Sequence, residues 1–413
     1  MRKVITARWI GVAGVITVLC GCTPGATAGP DPTAGVAPPP AGSPSTASAP
    51  VFTSTPAADD GPVLTIEALP FAEPSDAELP AVRRRALQQA LDGTVRDSTR
   101  VPGVTAAVLS PTGKWTGAAG VDGAGAPLVP QAMTDIGSVT KTFTAAEVLL
   151  LAGQNRINLD TPASNYLDHP LLGRGPTVRQ LLSHTSGIPD IFTPALVGAI
   201  DAHPTRPWTA VQALKYVTDP LSQPGPPVMF YSNSNYLLLG MIIERVTGTS
   251  YAAAVRRDLL PGLGGRIAVQ TAEPPVAPVA APNLTGTTTK PDGQFLPNRA
   301  WASPAGAAGG IAADAATLAH WGYRLYGGQI LDARATVDMA TPVDPGYGLG
   351  TEILEQQWSS TGGVIGHHGG LPGYATLLLV NPQRQLAIAV LVPGDPGPTI
   401  DTLATRLLAV MRE

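Results

Sequence analysis

The chain has 413 residues, 44% hydrophobic and 14% charged, which is enough apolar material for at least one large core. Its formal charge of −4 excludes a protein that holds nucleic acid or anionic lipid through a basic surface. The 46 Gly and 43 Pro would signal low complexity if evenly spread, but the prolines crowd toward the N-terminus and leave a globular remainder.

At the start, Arg2, Lys3 and Arg8 supply a positive region, and residues 9–20 an apolar stretch too short to span a bilayer. That is the pattern of a secretory signal. Leu19-Cys20-Gly21-Cys22 resembles the bacterial lipobox, so residues 1–21 are read as a lipoprotein signal peptide. Cys22 would carry the lipid that holds an exported protein on the cell membrane, facing the periplasm or cell wall. Cleavage there also removes Cys20, which excludes disulfides and cysteine-based metal sites or nucleophiles. Residues 22–75 are rich in Pro, Ala, Ser and Thr and cannot bury enough surface to order themselves, so they are read as a disordered tether. About 50 residues reach about 150 Å if polyproline-like and about 40 Å as a coil.

Residues 76–413 are expected to form one domain. Helical spacing runs through 78–94; then 104–109 and 115–121 flank a turn at 110–114 as a β-hairpin. The middle is helical, with 143–151 stopped by Gly153 and 236–246 stopped by Gly248. The Pro-rich stretch 272–282 is a surface excursion and a second candidate for disorder. Residues 374–380 and 386–392 predict another hairpin, and 400–411 a closing helix. These patterns predict an α+β fold, an antiparallel sheet flanked by helices. Its α/β lobe would take 76–137 and 300–413, and a mostly helical lobe, 138–299, would be inserted. The cleft between lobes is the natural site.

Ser138-Val139-Thr140-Lys141 lies just before a helical run, which places the lysine one turn beyond the serine on the same face. A serine hydroxyl needs a base near neutral pH, and a desolvated lysine can serve. Without companions, the pattern is equally an N-cap followed by an exposed lysine. The first companion is Tyr231-Ser232-Asn233, in a polar loop opening the next apolar helix. The second is Gly366-His367-His368-Gly369-Gly370, read as a Gly-rich turn feeding a strand. Neighbouring histidines on an extended strand face opposite ways, so no metal pair is expected.

In this order, the SxxK, YxN and HxG elements resemble the serine penicillin-recognising superfamily, in the branch of class C β-lactamases and related DD-carboxypeptidases. The resemblance runs from about Pro102 to the C-terminus through Leu159-Asp160-Thr161-Pro162 and the run from Thr177 to Ile188. It implies a β-lactamase/transpeptidase-like fold, no cofactor, and an acyl-enzyme on Ser138. Lys141 would be the proton partner, Tyr231 the shuttle to the leaving group, and Asn233 a hydrogen-bond partner of Lys141 or the substrate amide. His367 would support Tyr231 and the substrate. The oxyanion site would use the amides of Ser138 and Gly370, with Gly369 beside them. His184 would be a core or loop-fixing residue.

His368 stands where peptidase-like members carry Thr or Ser, which puts carboxylate recognition in question, and Arg299 has no motif around it. The resemblance implies a cell-envelope hydrolase of DD-peptidase type on peptidoglycan stem peptides, with β-lactams as further ligands. Three alternatives stay open: an esterase or amidase on the same scaffold, a β-lactamase, and a non-catalytic wall-binding lipoprotein.

Overall fold

The computed structural model describes residues 69–203, 206–219, 221, 228–269, 299–344, 346–354, 363–394 and 396–412. The leader, Cys22, the tether up to residue 68 and the stretch 272–282 lie outside them. The last residues assigned to the tether are seated on the domain. Phe71 is buried, its amide donates to the Gly327 carbonyl at 2.9 Å, and its ring meets Tyr323 edge-on. One large apolar side chain thus ends the low-complexity run before residue 75.

Both ends of the chain build one sheet. After α1 (Ala81–Asp97) come β1 (Gly103–Ser110) and β2 (Gly113–Gly120). Ser110 pairs with Gly113, so the turn is tighter than expected. Near the other end lie β6 (Glu352–Ile353), β7 (Ile365–Leu371), β8 (Tyr374–Asn381), β9 (Leu386–Val392) and the closing helix α11 (Thr399–Val410). The strand order is β2-β1-β9-β8-β7-β6, and every pairing is antiparallel. β9 is buried along its whole length, because the sheet is covered on both faces; this explains its unbroken apolar sequence. Leu87 and Leu91 of α1 join Leu403 and Leu407 of α11 in a core on one face.

The helical middle holds α2 (Thr140–Gly153), α3 (Val178–Leu182), α4 (Pro194–Ala202), α5 (Ala210–Leu214), α6 (Asn233–Thr247) and α7 (Tyr251–Asp258). α6 ends at Gly248, whose φ of 71° is the left-handed cap conformation that glycine adopts without strain. α8 (Arg299–Gly309), α9 (Ala315–Tyr326) and α10 (Ala333–Ala340) lead back to the sheet. α2 is buried on nearly every side, so its neighbours carry small residues: a Cβ on Gly240 of α6 would stand 2.6 Å from the Ala307 Cβ of α8.

Two features differ from the sequence expectation. β3 (Thr134–Asp135), β4 (Ile267–Val269) and β5 (Ile311–Ala313) form a small second sheet, with strands too short for any periodicity to register. The Gly-rich HxG segment is not a turn but strand β7, paired residue for residue with β8 from Ile365↔Val380 to Leu371↔Tyr374. The turn comes only at Pro372-Gly373.

Candidate active site

Ser138 lies in a short 3-10 turn, Gly137–Val139, that runs directly into α2. One turn further along, Lys141 is fully buried. Its Nζ lies 3.0 Å from Ser138 Oγ, 2.8 Å from Asn233 Oδ1 and 2.8 Å from the Ala308 carbonyl oxygen. Burial pushes Lys141 down to about 7, against the opposing pull of Asp190 and Glu352. A neutral amine has two N–H donors and one lone pair. The amide oxygen and the carbonyl can only accept, so they take the two N–H groups, and the lone pair faces the Ser138 hydroxyl. Ser138 is therefore placed to give up its proton to Lys141.

Asp190 sets this orientation. Its Oδ2 accepts the backbone N–H of Asn233 at 2.7 Å and the Asn233 side-chain N–H at 2.8 Å. The amide nitrogen of Asn233 is thereby committed to Asp190, and its oxygen must turn to Lys141. Asp190 follows the run from Thr177 to Ile188 by two residues, and no motif in the sequence marked it.

Tyr231 is half-buried just before α6, with its phenol beside Ser138. Burial holds its phenol well above the ordinary tyrosine value, with the Ser138 contact pulling the other way, so it stays a proton donor. Lys141 Nζ sits 4.8 Å from its ring centroid. His184 fixes Tyr231 from both sides: its carbonyl accepts the Phe230 N–H at 2.9 Å and its Nδ1 accepts the Ser232 N–H at 3.1 Å. The two rings lie 4.2 Å apart. Burial drives His184 well below the ordinary histidine value, so it remains neutral and able to accept that bond.

The geometry of β7 sorts its residues. The Val364 carbonyl accepts the Leu354 N–H, and the His368 N–H donates to Glu352 Oε2 at 3.1 Å. Strand alternation therefore turns the amides of residues 366, 368 and 370 toward the β6 edge and those of 367 and 369 into the ladder with β8. The Gly370 amide is aimed at the open edge, and the Gly369 amide is not. Gly137, at φ 49°, packs so closely that a Cβ would stand 2.4 Å from the Gly370 nitrogen. On Gly369, a Cβ would come within 1.9 Å of the Ile136 carbonyl oxygen. Only glycines let β7 press its edge against the Ser138 turn.

His367 lies close by but does not reach Tyr231. The two ring centroids are 6.5 Å apart, and His367 Nε2 pairs with the Tyr347 hydroxyl at 3.0 Å. Burial pushes His367 down to about 4, despite the nearby Glu352, so the ring is neutral. Tyr347, which stands edge-on to Tyr231, is a second residue that the sequence did not mark, although an aromatic inside Gly346-Tyr347-Gly348 was a signal available. His368 points to the opposite face, where its Nδ1 lies 2.5 Å from Glu352 Oε2 and its Nε2 2.9 Å from Asp401 Oδ1. The side chain of Arg299 lies outside the described residues.

The Beta-lactamase family profile matches residues 84–411. Protein flp of Staphylococcus aureus (strain COL) is 32% identical over 136 residues, 32% of this chain and 26% of flp, so the match spans about a quarter of that relative. The putative penicillin-binding protein PbpX of Bacillus subtilis (strain 168) is 27% identical over 59% of this chain and 57% of its own length. Among solved structures, a D-stereospecific amidohydrolase from Streptomyces sp. shares 31% identity with a TM-score of 0.64, over 78% of this chain and 97% of that one. The D-amino acid amidase of Ochrobactrum anthropi SV3, at 24% identity and a TM-score of 0.68 over 80% of this chain and 99% of that one, shares the fold. A profile that spans nearly all of the described domain, on a fold common to these enzymes, places the chain in the Beta-lactamase family, as a serine hydrolase of the β-lactamase and penicillin-binding-protein superfamily.

Proposed function

We propose that this serine hydrolase is an amidohydrolase that takes the D-configured acyl part of an amide or ester onto Ser138 and passes it to water or an amine. The observation that carries this is the Lys141 amine, buried with two acceptor-only partners so that its lone pair meets the Ser138 hydroxyl. Lys141 takes the Ser138 proton as Oγ attacks the carbonyl carbon. The amides of Ser138 and Gly370 receive the oxyanion, and Tyr231 hands a proton to the leaving nitrogen or oxygen as the carbonyl re-forms. Asn233 holds Lys141. His367 acts on Tyr231 only through Tyr347. Likeness to the D-stereospecific amidohydrolase supports a D-configured acyl group.

A second reading is the peptide form of this chemistry, a DD-carboxypeptidase on peptidoglycan stem peptides, held at the membrane through a lipid on Cys22. Similarity to PbpX and the lipobox-like leader favour it.

Intact-protein mass spectrometry tests the acyl-enzyme. Incubation with an activated D-aminoacyl ester should add one acyl group to the wild type and none to Ser138→Ala. An unchanged adduct in Ser138→Ala would remove Ser138 from the chemistry. A fluorescent penicillin run in parallel reports whether the cleft also takes β-lactams.

A further inference from the structure

Glu352 occupies an unexpected place beside the third motif. It starts β6 and pairs with Gly366, yet its carboxylate reaches forward along the β7 edge. There Oε2 accepts the His368 N–H at 3.1 Å, and Oε1 lies 3.4 Å from His367 Nδ1. The Gly370 amide faces this same edge, two residues and roughly 7 Å further along. Glu352 therefore occupies the His368 end of the edge on which a substrate extending from Ser138 past Gly370 would lie.

The charges nearby offset it only in part. His367 is neutral and 1% exposed, with Nε2 on Tyr347. His368 does carry charge, since Glu352 and Asp401 raise its imidazole above the usual histidine range against the effect of burial. That single charge is shared between two carboxylates, 2.5 Å from Glu352 and 2.9 Å from Asp401, and leaves the three groups with one net negative charge. Burial alone would raise the Glu352 carboxyl, but the charge of His368 and the hydrogen bonds from its ring and backbone pull it below the ordinary carboxylate value. Asp190, behind Asn233, adds a second carboxylate on the other side of Lys141.

Resting on the amidohydrolase reading of Ser138, we propose that Glu352 is a specificity-determining residue: the carboxylate it places on the β7 edge turns away acyl donors whose leaving part ends in a free carboxylate. The site then selects donors whose leaving part is neutral or cationic, such as amino-acid amides and esters. A dipeptide ending in a free acid brings its charge toward Glu352 in a partly desolvated cleft, where like charges repel more strongly than in water. The corresponding amide brings the same shape without the charge.

The test compares N-acetyl-D-alanyl-D-alanine with N-acetyl-D-alanyl-D-alaninamide, two substrates of equal size that differ by one charge. In the wild type, kcat/KM for the amide should exceed that for the acid about tenfold or more, with most of the difference in KM. Glu352→Gln should bring the ratio close to one by improving the acid. Raising the ionic strength with the wild-type protein should narrow the ratio in the same direction, which covers the case of a poorly folded variant. Equal rates in the wild type, a preference for the acid, or a ratio indifferent to both Glu352→Gln and salt overturns the proposal. Failure of an activated ester to acylate Ser138 overturns the hydrolase reading beneath it.

Discussion

Asp190 and Asn233 are joined by two hydrogen bonds that one carboxylate oxygen accepts, from the backbone nitrogen at 2.7 Å and the side-chain nitrogen at 2.8 Å. This pair determines which atom of Asn233 meets Lys141. Asp190 also raises the pKa of Lys141 by its charge. Asp190→Asn keeps the shape and removes the charge, so kcat/KM should fall about tenfold, the effect of one charge-assisted hydrogen bond. The acid limb of its pH profile should also move to lower pH, because Lys141 then loses its proton more readily. An acid limb that stays in place would show that Asp190 does not act on Lys141.

Lys141 itself sets the acid limb. With the amine at about 7, only the deprotonated form accepts the Ser138 proton, so kcat/KM should fall about tenfold per pH unit well below that value and level off above it. A pH profile from stopped-flow acylation checks this, and a flat profile from about pH 5 to 9 would rule out the lysine as base.

Gly137→Ala tests the oxyanion site without touching a catalytic side chain. The new Cβ would stand 2.4 Å from the Gly370 nitrogen, on a backbone at φ 49°, so β7 must shift away from Ser138. Acylation should slow about 100- to 1,000-fold, as when one oxyanion donor is lost, and circular dichroism should still report a folded chain. Unimpaired acylation would exclude Gly370 as a donor.

Glu147, fully buried in α2, has no hydrogen-bond donor among the described residues for either of its carboxylate oxygens. Burial raises it to about 8, and the neighbouring Asp258 carboxylate of α7 pushes in the same direction. The folded chain keeps this proton while the unfolded chain gives it up near 4.5. Its contribution to stability is therefore complete below about 4.5 and is lost as pH rises toward about 8. Glu147→Gln should flatten the melting temperature across that window, as followed by calorimetry. A wild-type slope retained in the variant would assign it to another group.

His184→Ala should leave the buried Ser232 N–H without its acceptor, at a cost of about 1 to 3 kcal/mol in urea denaturation. It should also weaken proton transfer through Tyr231. Normal turnover in the variant would make the histidine purely structural.

The residues legible in the sequence are those brought together by local geometry. Ser138 and Lys141 meet because a 3-10 turn flows into a helix, and Tyr231 and Asn233 because they open α6. Asp190 reaches Asn233 from 43 residues away, and no periodicity reports a loop contact of that kind. Tyr347 and Glu352 depend on the pairing of β6 with β7, which no short motif encodes. Alternation foretold that His367 and His368 face opposite ways; that His367 would be neutral and attached to Tyr347 depended on packing. β9 was visible as an unbroken apolar run, whereas β3 and β4 were too short to be seen.

β9 lies between β1 and β8, with Ala107 facing Ala389. The sheet therefore has a vectorial constraint: its first hairpin is made early in synthesis but must wait for nearly the entire chain before its neighbour arrives. Closing so long a loop is an entropic delay that local helix formation in the middle does not shorten. A product ending before Leu386 would keep every residue of the SxxK, YxN and HxG motifs, yet β1 would be left as an open edge, exposed to pairing with other chains rather than with its own.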